Sequence, residues 1–174
     1  MIKTKQDPQP EPWLRGTLVE VPSIPRAVLH ALQLAGEDVE RCSAELREDE
    51  IFAQPFGITP FGFHLRHMAH SLDRLLTYAE GQQLNMVQRA ALSLESDDGM
   101  SAAALLAEFQ AALADAAARI RALPLAELEQ PRAVGAKRLP TTLGGLLVHL
   151  ADHTQRHAGQ AVTTAKFLLA LRTA

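Results

Sequence analysis

Four stretches of this chain place apolar residues in steps of three and four, so each shows a single apolar stripe when wound as a helix. The first runs Val28, Leu32, Ala35, Val39, Cys42 and Leu46, and the second Phe61, Leu65, Met68, Leu72, Leu75 and Ala79. The third runs Leu105, Phe109, Leu113, Ala116, Ile120 and Leu123. In the last stretch Leu146, Leu150, Ala161 and Leu168 fall within about 60° of one another on a helical wheel. A helix with one apolar stripe has to bury it against a partner, and four such stripes pack most simply as a four-helix bundle. No stretch reads convincingly as a strand, so the expected fold class is all-α: a four-helix bundle with one short extra helix and an extended N-terminal arm.

Capping and breaking residues divide the chain accordingly. Residues 1–22 hold Pro8, Pro10, Pro12 and Pro22, which favour an extended arm, and 23–174 make the bundle domain. Within the arm, Trp13 and Leu14 are expected to dock on the outside of the bundle or on a neighbouring subunit. Ser23 is placed to cap the first helix, with Pro25 in its first turn, and Thr59 the second, with Pro60 next to it. Gly81 suits a C-terminal stop. Asn85 and Gln88 have capping-box spacing for a short helix through Leu94, and residues 96–99 read as a polar turn. Ser101 opens the third long helix and Pro124 ends it. Residues 125–140, with Pro131, Gly135 and Pro140, read as a long crossover, after which Thr141 or Thr142 caps the final helix.

Composition narrows the function. Hydrophobic residues make up 47%, charged residues 21% and aromatic residues 5% of the 174, the profile of a helical globular protein. A formal charge of −3 speaks against nucleic acid or an anionic membrane surface as partner. There is no secretory leader pattern and no apolar run of about 18 residues, so a cytoplasmic protein without a membrane span is expected. Cys42 is the single cysteine, which rules out an intrachain disulfide and a cysteine-rich zinc site. It lies on an apolar stripe with no histidine or basic partner in view and reads as a small buried hydrophobe. Any metal must therefore be held by histidine and carboxylate.

The histidines are where the chemistry concentrates. His153 and His157 lie one turn apart, each roughly 20° from Leu146, at the centre of the last apolar stripe. Two imidazoles on a buried face are either hydrogen-bonded core residues or two ligands of one ion. His149 lies roughly 60° off the stripe and reads as partly exposed or as a supporting residue. The second helix is the other one rich in histidine. There His64 lies about 60° from the apolar seam, His67 about 120° and His70 nearly opposite, so the wheel mildly favours His64 as a third ligand.

Two segments carry a resemblance to a known family. Pro60-Phe61-Gly62-Phe63-His64-Leu65-Arg66-His67-Met68-Ala69, followed by Ser71-Leu72-Asp73-Arg74-Leu75-Leu76, resembles the first histidine motif of the DinB/YfiT-like superfamily. Leu146 to Gln160, where His153-Thr154-Gln155-Arg156-His157 runs into Gly159-Gln160, resembles its second. The resemblance implies a four-helix bundle, frequently dimeric, with three histidines on a divalent ion, nickel or zinc. Matched residue by residue, the ligands are His67, His153 and His157, so the family pattern overrides the wheel's preference for His64. Relatives implied by the resemblance include thiol-dependent S-transferases and a maleylpyruvate isomerase. The expected function is thus transfer of a low-molecular-weight thiol to a small electrophile, in a homodimer. A metal-assisted hydrolase and a non-catalytic stress-response or binding module are the competing readings. Asp152, Gln155 and Gln160 are candidates to orient the imidazoles, with Gln160, about 40° from Leu146, the best placed. Arg66 and Arg156 are candidates to line the mouth, while Arg74 with Asp73, and Lys137 with Arg138, read as solvated charge.

Overall fold

A computed structural model describes residues 9–91, 95 and 99–173. Residues 1–8 of the arm, 92–94 where the short helix was expected to end, 96–98 of the expected polar turn, and 174 lie outside the described residues. The chain is mostly helical: α1 (Ser23–Ser43), α2 (Phe61–Ala79), the short α3 (Met86–Ala90), α4 (Ala102–Ala122) and α5 (Leu143–Leu171). A two-stranded antiparallel ribbon, β1 (Pro131–Val134) and β2 (Leu139–Thr142), precedes α5.

The apolar stripes meet in two clusters that fix the helix directions. Val28 and Leu29 of α1 share one cluster with Leu72 and Leu76 of α2, Ala116 and Ile120 of α4, and Leu146 and Leu147 of α5. Ala35 and Val39 share the other with Phe61 and Leu65, Leu105 and Phe109, and Ala161 and Ala165. Hence α1 and α5 run in one direction, and α2 and α4 in the other. Each of α1 and α2 packs against both α4 and α5. The antiparallel pair α2 and α5 is the one that positions the histidines.

Local chemistry sets the ends. The Thr142 hydroxyl accepts the Gly145 N–H at 3.1 Å, which caps α5 as expected. Ser101 does the same for α4, accepting from Ala104, and Asn85 and Gln88 form the reciprocal capping box of α3. At α1 and α2 the N-cap positions belong to Pro22 and Pro60, so Ser23 and Thr59 do not cap with their side chains. Gly81 adopts φ +82°, a left-handed conformation that suits a stop after α2.

Two connections differ from the sequence reading. Residues 125–140 do not cross the bundle, because α4 ends and α5 begins in the same apolar cluster. They carry the ribbon, in which Pro131 faces Thr142 and Val134 faces Leu139 across a turn with positive φ at Gly135 and Arg138. The prolines that suggested irregular chain sit within this short ribbon, where missing N–H donors are tolerated. The segment that travels the bundle is 80–101. It leaves the end of α2, ties Gln88 to Asp73 and Thr77, brings Glu95 to His67, and reaches Ala102, whose N–H donates to Glu48. In the arm, Arg15 pairs with Glu37 of α1 and the turn at Pro12–Leu14 lies against that helix, while the Trp13 and Leu14 side chains stay largely exposed. Among the described residues no helix is long and apolar enough to cross a membrane.

Candidate metal centre

Thr154 and Ala158, not the histidines, occupy the buried centre of the α5 stripe at this level. His153 and His157 flank that centre and are half-buried, facing α2. One turn of helix separates them, and their ring centroids are 4.6 Å apart. From α2, the His67 ring lies 4.3 Å from that of His157 and 5.0 Å from that of His153. Each of the three offers a nitrogen within 4.8 Å of the others, and His67 Nε2 lies 3.2 Å from His153 Nε2. Phe63, one turn earlier, stacks on the His67 ring with 11° between planes.

His67 thus joins both residues of the α5 pair, whereas His64 touches only one. The wheel was right that His64 is the more deeply buried, at 3% exposure. Its Nδ1 meets His157 Nδ1 at 3.2 Å, on the edge of the cluster. A side chain shared between two packed helices sits beside the seam rather than on it, which is why the position farther from the apolar centre converges with α5. His70 does not join the cluster: its Nε2 bonds Glu108 of α4 at 3.0 Å, and its Nδ1 lies 3.7 Å from Glu95. His149 is exposed, its ring 5.7 Å from that of His153.

The electrostatics favour neutral rings. Burial first, then repulsion from neighbouring histidines and Arg156, hold His153 at a pKa of about 4. Burial, then His67 and Arg156, hold His157 at about 4. Burial followed by His157 and His67 does the same for His64. Near neutral pH each of these rings is uncharged, with one N–H and one nitrogen bearing a free lone pair. Converging imidazole lone pairs suit zinc, nickel, copper or iron, and not the hard oxygen-seeking cations. Two bonds of about 2.0–2.1 Å meeting at a tetrahedral angle put their nitrogens about 3.3–3.4 Å apart. The 3.2 Å pair already has that spacing, and a shared ion would draw the wider-set nitrogens of the cluster, all within 4.8 Å of one another, inward. The residues fit a divalent metal.

The supporting cast differs from the one expected. Gln155 donates to the Ala31 carbonyl of α1 at 2.6 Å and so ties helices together. Asp152 pairs with Arg156 on the exposed face, and Gln160 is exposed rather than turned inward. Arg66 is buried and faces Glu108, so of the two arginines proposed for the mouth only Arg156 borders a cleft near the cluster. Arg74 is no solvated charge: it donates to Glu95 at 2.8 Å and to Ser71 at 3.0 Å. Glu95, only 5% exposed, accepts from His67 Nδ1 at 2.7 Å. Burial alone raises its carboxyl pKa, but hydrogen bonds from His67 and Arg74 outweigh this and leave it lowered. Nothing in the sequence singled Glu95 out, since it falls between the expected short helix and the polar turn at 96–99. Cys42 is buried enough to push its thiol up to about 11, in keeping with an inert position.

Clefts open on both sides of the cluster. One of about 240 Å³ reaches His153 past Leu75, Tyr78 and Leu84, with Ser71, Arg74 and His149 at its polar side. Another of about 290 Å³ reaches His64 and is bordered by Arg156, Gly159 and Gln160. A Cβ on Gly159 would meet nothing within 4 Å, so this glycine keeps space open instead of allowing close helix packing.

An antiparallel helix pair holding three converging imidazoles, inside a four-helix bundle, defines the class of protein: a bundle with a three-histidine cluster able to hold a divalent metal. Residues 31–161 match the DinB superfamily, and the chain belongs to that superfamily. Among solved structures, a conserved protein of a locus from Enterococcus faecalis is similar with a TM-score of 0.68 and 16% sequence identity. That match covers 83% of this chain and 96% of the other, so the two share a fold. A comparison with curated proteins finds no match.

Proposed function

We propose that this protein is a metal-dependent enzyme in which His67, His153 and His157 hold one nickel or zinc ion and a low-molecular-weight thiol is transferred to a small electrophile. The observation that carries the reading is the convergence of three imidazole nitrogens within 4.8 Å, from two helices, beside open clefts. A divalent ion held by three neutral imidazoles keeps its full charge and stabilises a thiolate near neutral pH. The remaining work falls to the chain. Leu75, Tyr78 and Leu84 give the cleft at His153 an apolar wall that shields a nucleophile from water. On the other side, Arg156 and Gln160 offer a charge and an amide to an acidic or polar group of a thiol or its acceptor. In the transfer a sulfur–carbon bond forms, and the bond to the leaving group breaks with its electron pair. The thiol proton goes to solvent.

The test is turnover of 1-chloro-2,4-dinitrobenzene with a panel of thiols, cysteine and glutathione first. The reading expects chloride release that requires both thiol and added zinc or nickel, and that H153A abolishes. Turnover indifferent to thiol would favour metal-assisted hydrolysis instead. Absence of any bound ion after loading would overturn the proposal.

A further inference from the structure

Glu95 has no part in the proposed transfer, yet it is the most deeply buried carboxylate near the cluster and each of its oxygens has a partner. Oε2 accepts from His67 Nδ1 at 2.7 Å, and Oε1 accepts from Arg74 at 2.8 Å. It comes from the 80–101 crossover and not from either helix that carries the histidines. We propose that Glu95 is a positioning residue for the metal centre, fixing the proton of His67 on Nδ1 so that the Nε2 lone pair is turned to the ion. This rests on the proposed metal role of His67.

The chemistry is directional. A carboxylate between a guanidinium and an imidazole can only accept, so the ring nitrogen facing it must carry hydrogen. A neutral imidazole has one N–H, and the other nitrogen is then bare. In this structure the other nitrogen is Nε2, the atom 3.2 Å from His153 Nε2. Arg74, always charged and itself tied to Ser71, holds the carboxylate in place, and Phe63 holds the ring plane. Carboxylates that bond the remote nitrogen of a metal-binding histidine set both its tautomer and its orientation, and their loss costs about 10–100-fold in metal affinity.

The deciding substitution is E95Q. Arg74 would still donate to the amide oxygen, which turns the amide NH₂ toward His67 and reverses the polarity of that bond. Nitrogen-15 NMR of metal-free protein should show His67 protonated at Nδ1 in the natural chain and at Nε2 in E95Q. Zinc affinity, measured by chelator competition, should fall about 10–100-fold in E95Q while its metal-free melting stays close to the parent's. A residue that merely braced the fold would leave the tautomer alone. If E95Q keeps the Nδ1 proton and binds zinc within twofold of the parent, the role assigned to Glu95 is wrong although the metal reading stands. If the parent takes up no zinc, both fail. Should E95Q not fold, the parent spectrum decides, since an Nε2 proton on His67 there overturns the assignment.

Discussion

Acid should destabilise the metal-free protein well above the range in which carboxylates titrate. His64, His153 and His157 each have a pKa of about 4 in the folded chain, against an ordinary value of 6.5. Above 6.5 neither state is protonated and the histidines cost nothing. As pH falls from 6.5 toward 4 the unfolded chain takes up protons that the folded one refuses, so stability drops, and below 4 the difference levels off. Between pH 7.5 and 5.5 a fully shifted histidine of this kind costs about 1.3 kcal/mol. His64, the most buried, is assigned that amount, and solvent screening of the half-exposed His153 and His157 reduces theirs to about half. The total is about 2–3 kcal/mol, or about 5–10 °C in melting temperature for a domain of this size. Differential scanning fluorimetry in chelator at the two pH values measures it. The shifted carboxylates, Glu50 at about 2 among them, titrate below this window and do not contribute. A melting temperature that is flat from pH 7.5 to 5.5 would refute the reasoning, because it would mean that the imidazoles are not held neutral by their surroundings.

Zinc added at a hundredfold excess over its dissociation constant should stabilise the parent protein by about 2.7 kcal/mol. H153A and H157A, read in the same fluorimetry assay, should each lose that response. Thr142 satisfies the Gly145 N–H at the start of α5, so T142A should cost about 1 kcal/mol and about 2–4 °C of melting temperature without altering zinc uptake. Cys42, with its thiol pushed up to about 11 by burial, should resist iodoacetamide at pH 7.5 in the folded protein and react at an ordinary rate once denatured, as mass spectrometry would show.

The bundle was legible because helix burial is written in residue spacing. The stripes through Val28, Phe61 and Leu105 fall on buried faces with few exceptions, and capping by Asn85, Ser101 and Thr142 lands where the side chains implied. What periodicity cannot supply is the relation between elements. A wheel centred on Phe61, Leu65 and Leu72 ranks His64 above His67, because it measures depth and not which neighbouring helix a position faces. The ribbon at 131–142 was missed for a similar reason. Its strands are only four residues each, and their pairing depends on a turn at Gly135 and Arg138 more than on any alternating pattern. Glu95 was the least legible of all. Its partners, His67 and Arg74, lie on another element, and an acidic residue in a connecting segment looks solvated until that segment is laid along α2. Gln160 failed in the opposite sense: the wheel was centred on Leu146, whereas the face buried at that level holds Thr154, Ala158 and Ala161 and leaves Gln160 exposed.

The central claim, that His67, His153 and His157 converge on one cation, is tested most directly by X-ray absorption on zinc-loaded protein of known metal content. The account predicts about one zinc per chain, with three imidazoles in its scattering pattern at about 2.0–2.1 Å. Protein that retains no zinc after loading, or zinc whose surroundings contain fewer than three imidazoles, would contradict it.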